Sequence, residues 1–200
     1  MPLWGTSADA ITNRPKWCPT DEDSAYNRGD VYATQSGWVR KAGTAASGNG
    51  NTDAQEEVLV AIGGLAGADG TVGLKAPTVV AMRFVGTVSA ATGTILVEIT
   101  YDEGITVVGN PTIAIANGNE GTGTGRGPHS VAYITSGSTD NQLRFQATSQ
   151  TVAEDDVLTL GGSNIALAGG TISDTVVGGT TLAASLVLSG LTAVTTTVTA

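Results

Sequence analysis

The chain has 200 residues, with 28 glycines, 4% aromatic and 14% charged residues, against about 25% charged in an average globular protein. Glu, Lys and Arg are too scarce for a helix-rich protein, whereas abundant Gly, Thr and Val suit short strands joined by tight turns. Nine Lys+Arg stand against eighteen Asp+Glu, a net charge of −9, which excludes the clustered basic surface that nucleic acid or an anionic membrane requires.

The first 38 residues hold all three tryptophans, Trp4, Trp17 and Trp38, together with Tyr26 and Tyr32. Through Asn27 there is little periodicity, three prolines (Pro2, Pro15, Pro19) and the acidic run Asp21-Glu22-Asp23, so an extended arm with local turns is expected. The start, Met1-Pro2-Leu3-Trp4-Gly5, lacks the basic residues and apolar run of a signal peptide, and no cleaved export precursor is expected. Cys18 is the sole cysteine, which leaves no internal disulfide and reads as a small packed residue.

Strand material follows in Asp30-Val31-Tyr32-Ala33 and Gly37-Trp38-Val39-Arg40. After a Gly/Asn/Ser loop from Gly43 to Thr52 comes Glu57-Val58-Leu59-Val60-Ala61-Ile62, a returning strand that makes a long-looped hairpin. Gly63-Gly64 and the small residues from Ala66 to Gly73 form a linker. Two regions are therefore expected, an arm and β region over 1–72 and a β-sandwich over 73–200.

From Thr78 the pattern predicts strands at Thr78 to Val85, Thr94 to Thr100, Ile105 to Val108, Thr112 to Ala116, Ser130 to Thr135, Gln142 to Thr148, Val157 to Leu160 and Ile165 to Leu167. One or two more fall between Leu182 and Val198. Asp102-Glu103-Gly104, Gly109-Asn110-Pro111, Gly137-Ser138 and Gly161-Gly162 punctuate them. Alternation places Ile95, Val97 and Ile99, and likewise Leu143 and Phe145, toward a core. Many short strands spaced by turns are the signature of an immunoglobulin-like sandwich, so the fold class is all-β. The charge-free stretch after Asp174 is broken by Gly178-Gly179 and Gly190 and rich in Thr and Ser. It reads as strands, not as a membrane span.

Catalytic chemistry is thinly represented, and no enzyme is expected. The lone His129 stands in Gly125-Arg126-Gly127-Pro128-His129 and is expected on a loop surface, with no Gly-x-Ser-x-Gly elbow to serve. The glycines from Gly118 to Gly127 lack the ending and the helix of a phosphate loop and are expected as a flexible hairpin loop. Arg28-Gly29-Asp30 matches an adhesion tripeptide of the kind that recurs by chance. Asp102-Glu103 and Glu154-Asp155-Asp156 are expected as solvated turns, with calcium the alternative. No cofactor and no metal is expected.

Two resemblances add to this reading. Val97-Glu98-Ile99-Thr100-Tyr101-Asp102-Glu103, Ile105-Thr106-Val107-Val108-Gly109-Asn110-Pro111-Thr112-Ile113-Ala114-Ile115, Ala132-Tyr133-Ile134-Thr135-Ser136-Gly137-Ser138, Asn141-Gln142-Leu143-Arg144-Phe145 and Asn164-Ile165-Ala166-Leu167-Ala168-Gly169-Gly170-Thr171-Ile172-Ser173-Asp174 occur in that order. Over about residues 78 to 190 this resembles the SwmB-type Ig-like repeat of large bacterial surface proteins, which implies a fold and no particular function. Met1-Pro2-Leu3-Trp4-Gly5, Asn13-Arg14-Pro15-Lys16, Arg28-Gly29, Gly37-Trp38-Val39 and Glu57-Val58-Leu59-Val60-Ala61 resemble the N-terminal region of virion structural proteins of marine contractile-tailed phages, cyanophages especially. The loop Gly43 to Asn51 departs from the more polar or aromatic stretch of those proteins.

The second resemblance implies a virion structural protein, first of all a capsid decoration protein that docks through its N-terminal region and displays the Ig-like domain. The alternative is an adhesive, carbohydrate-binding module on a neck or tail fibre. It implies the major capsid protein or other virion subunits as partners, self-association on the particle, location on the virion surface after synthesis in the host cytoplasm, and room for weak contact with cell-surface glycans. Trp4, Trp17 and Trp38 are the candidate docking residues, since exposed aromatic rings anchor interfaces. For Trp38, which falls in a strand, packing within its own domain is the stronger expectation.

Overall fold

The computed structural model describes residues 30–43, 51–66, 74, 76–175 and 181–200, and within them the chain is all-β. The strands are β1 (Val31–Thr34), β2 (Gly37–Arg40), β3 (Glu57–Ala61), β4 (Val79–Phe84), β5 (Ile95–Tyr101), β6 (Ile105–Val108), β7 (Thr112–Asn117), β8 (His129–Ile134), β9 (Gln142–Ala147), β10 (Val157–Leu160), β11 (Thr171–Asp174) and β12 (Val194–Thr197). They form a three-stranded sheet β1-β2-β3, a seven-stranded sheet β12-β10-β7-β8-β9-β5-β4 and a two-stranded sheet β11-β6. The chain divides into two compact units. One comprises Met1–Ala81, Thr100–Thr106 and Ile172–Ser185, the other Met82–Ile99, Val107–Thr171 and Leu186–Ala200.

In the first unit, β1 and β2 pair antiparallel around the tight turn Gln35-Ser36, and β3 adds antiparallel to β2. The β2–β3 ladder shifts register between Trp38 and Val39. Gly37 opens β2 at φ +127°, and a Cβ there would run into the Val60 carbonyl, so glycine is required on both conformational and steric grounds. Val31, Ala33, Trp38, Leu65 and Leu74 form a small apolar cluster, with Leu59, Val60, Ile62 and Ala66 packed against it. The apolar run of β3 is only half covered, and Val58 remains 48% exposed. Being the outermost strand of a three-stranded sheet, β3 has one neighbour among the described strands and little to bury against.

In the second unit, strict alternation builds the core. Ile95, Val97, Ile99, Ile113, Ile115, Leu143, Phe145, Leu158 and Leu160 are all essentially inaccessible, as expected where every second side chain faces inward. Phe145 lies edge-on to Tyr133 across the β8–β9 pair, with ring centroids 6.1 Å apart. On the opposite face of β5, Glu98 is also buried. Its neighbours on the flanking strands cover it: Arg83 of β4 donates from Nε to Oε1 at 2.9 Å, and Arg144 of β9 donates from Nε to Oε2 at 3.0 Å. Long arginine stems thereby shield a carboxylate whose two oxygens both remain paired.

The expected strand at Ile165 to Leu167 is replaced by a single antiparallel bridge between Ala166 and Thr112. The ladder is instead formed by Thr171–Asp174, whose pairing with β6 follows the Gly169-Gly170 turn. This short segment exchanges one pair of backbone hydrogen bonds with β7, Thr112 N–H to Ala166 and back, while Ile165 N–H bonds the Leu186 carbonyl instead.

Candidate functional site

Of the three candidate docking rings, Trp4 and Trp17 lie outside the described residues, as does Cys18. Trp38 is 2% exposed and belongs to the apolar cluster of its own unit. Its burial follows from its place on β2, the central strand of the small sheet.

Three of the expected solvent-exposed features are buried. His129 is not a loop surface residue: it opens β8 and is 4% exposed. Asn117 Nδ2 donates to its Nε2, and its Nδ1 faces Gln150 Oε1, each at 3.2 Å. A hydrogen on Nδ1 satisfies both contacts. The partners stand 12 and 21 residues away in sequence, which local composition cannot reveal.

The second correction concerns the Glu154-Asp155-Asp156 turn. Glu154 and Asp155 face solvent, but Asp156 is fully buried. Arg126 donates to it from Nε at 2.6 Å and also from Nη2. Asn117 Nδ2 and the backbone N–H groups of Gly121 and Ala153 complete its shell. The hydrogen bonds from Arg126 hold the Asp156 carboxyl well below the usual carboxylate range, helped by the Ala153, Asn117 and Gly121 donors and opposed by burial. Arg126 further donates to the carbonyls of Thr122 and Gly121. The glycine-rich segment between β7 and β8 is thus tied to β10's entry by a buried bidentate pair, where a flexible loop was expected.

The third correction is the Asp102-Glu103 turn between β5 and β6, where both residues are buried. Asp102 accepts the Thr78 N–H on Oδ1 at 2.7 Å, and its carbonyl accepts the Ala33 N–H at 2.7 Å. Ala33 and Glu103 form a parallel bridge. Asp174, at the end of β11, accepts the Leu182 N–H at 2.9 Å. Glu103 Oε1 is buried with no hydrogen-bond partner among the described residues. Burial, and then the nearby Asp102 and Asp174 carboxylates, push Glu103 up to about 8. Tyr101, at the end of β5, donates its hydroxyl to the Ser185 carbonyl at 2.9 Å, and burial pushes its ionisation upward.

Among the described residues no group of three or more His, Cys, Asp and Glu side chains is placed to hold a metal ion. No helix among them is long and apolar enough to cross a membrane. Among the described residues, buried charged and polar groups tie turns and loops to the sheets. No known protein family, no curated protein and no solved structure matches the chain.

Proposed function

We propose that this chain is a virion structural protein, in the first place a capsid decoration protein that docks through its N-terminal region and displays an Ig-like β-sandwich. The observation that carries the reading is the ordered run of N-terminal motifs from Met1-Pro2-Leu3-Trp4-Gly5 to Glu57-Val58-Leu59-Val60-Ala61, which resemble the start of phage virion proteins. Two of those motifs, Gly37-Trp38-Val39 and Glu57 to Ala61, become the adjacent strands β2 and β3. They therefore act as one folded element.

The division of labour supports the same reading. Trp4 and Trp17 lie ahead of the small sheet in a stretch with little apolar material of its own. Seated against neighbouring subunits, such rings supply the buried centre of an interface. Exposed Val58 on β3 adds apolar surface in the same region. The larger sheet carries no lysine, and the chain's net charge of −9 keeps copies soluble and mutually repelling until they are docked. The major capsid protein is the partner this arrangement fits.

Deleting Met1 to Thr20 tests the docking role. The truncated chain is expected to fold and remain soluble yet fail to co-sediment with particles that bind the full chain. Undiminished co-sedimentation would remove the N-terminal region from the binding surface.

A further inference from the structure

We propose that the Asp102-Glu103 turn is a proton-dependent latch, whose backbone contact with β1 holds while the buried Glu103 carboxyl carries its proton and loosens when that carboxyl ionises. The inference is independent of the virion reading.

The geometry distinguishes Glu103 from its two acidic neighbours. Asp102 and Asp174 each accept a backbone N–H, from Thr78 and Leu182. Among the described residues Glu103 Oε1 has no donor and no ion pair involves this residue. Burial without a donor to Oε1 favours the neutral acid at Glu103. Among the described residues, the groups near it come from several elements. Asp102 shares its turn and Asp174 comes from β11; Tyr101 ends β5, with its hydroxyl committed to Ser185. From β1, the Tyr32 ring lies 3.9 Å from the Cβ position of Gly104, while its hydroxyl donates to Glu56. The Lys41 ammonium sits 5.5 Å above that same ring.

Contact with β1 is made at this point. The Ala33 N–H bonds the Asp102 carbonyl, and Ala33 bridges to Glu103. Ionising Glu103 places a negative charge beside the Asp102 and Asp174 carboxylates with no donor to Oε1 among the described residues, and relief requires the turn to open toward water. The folded-state value of about 8 lies above the ordinary 4.5. Stability from this group is therefore complete below pH 4.5, declines as the pH rises, and is lost through pH 8.

The test uses the full chain. Thermal unfolding followed by tryptophan fluorescence between about pH 6 and 9.5 brackets the window in which the Cys18 thiol and the α-amine also titrate, so the comparison with Glu103→Gln carries the result. The wild-type midpoint is expected to fall across this range, while that of Glu103→Gln stays nearly level and exceeds wild type at the alkaline end. Carboxyl carbon NMR of the wild-type chain supplies a reading that needs no variant. Glu103 is expected to titrate near pH 8, with the Ala33 amide resonance moving at the same midpoint. Parallel pH profiles for the two proteins, a Glu103 midpoint near 4.5, or an Ala33 amide that ignores the Glu103 titration would each overturn the latch.

Discussion

Phe145→Ala is expected to destabilise the second unit by about 3–5 kcal/mol, the largest single-residue loss in that unit. Phe145 is completely buried on β9, between β8 and β5 in the seven-stranded sheet. Truncation removes the transfer energy of the ring and leaves a void that neighbouring strands, fixed by backbone ladders on both sides, cannot close. It also removes the edge-on contact with Tyr133, worth about 0.5–1.5 kcal/mol beyond the area term. Urea unfolding followed by circular dichroism measures this directly. A loss below about 1.5 kcal/mol, the range of volume-conserving changes, would mean that the ring does not occupy the packed position described.

The second large effect is expected at Trp38→Ala, also a loss of about 3–5 kcal/mol, felt in the first unit. Its cluster is small: Val31, Ala33, Leu65 and Leu74 are its fully buried companions. Strands of four and five residues bury little apolar area, and sheets of that size depend on what they pack against. Removing the largest side chain of such a cluster leaves little to hold β1, β2 and β3 together. Hydrogen exchange at Val39 and Val60 reports the outcome, because strands that open frequently lose amide protection. Protection equal to wild type at both positions would show that the cluster does not depend on the ring.

These two residues differ in how far the sequence announced them. Phe145 stands in Gln142-Leu143-Arg144-Phe145-Gln146, where alternation alone assigns its face, and Ile95, Val97 and Ile99 were legible for the same reason. The strands Gly37–Arg40, Ile105–Val108 and Val157–Leu160 emerged with the expected bounds because turn residues mark both ends. β11 did not emerge as a strand. Four residues after Gly169-Gly170 carry too little periodicity, and its ladder depends on β6, more than 60 residues earlier.

The buried polar groups were the least legible. Glu98 stands opposite the core face of β5 and reads as solvent-facing until Arg83 and Arg144 are brought alongside from β4 and β9. His129, Asp156 and Glu103 likewise acquire their surroundings from residues distant in sequence. A glycine-rich stretch such as Gly118 to Gly127 signals backbone freedom, but the constraint that removes it, the pair between Arg126 and Asp156, crosses 30 residues. Charge in a turn is a weak indicator of exposure when the partner strand is unknown.

The most direct measurement of the central proposal is the abundance of this chain in purified virions, by quantitative mass spectrometry against the major capsid protein. A capsid decoration protein is expected in copies that scale with the capsid shell, retained through density-gradient purification. Absence from the virion would contradict the virion reading altogether, and a copy number fitting only a single neck or tail ring would contradict capsid decoration.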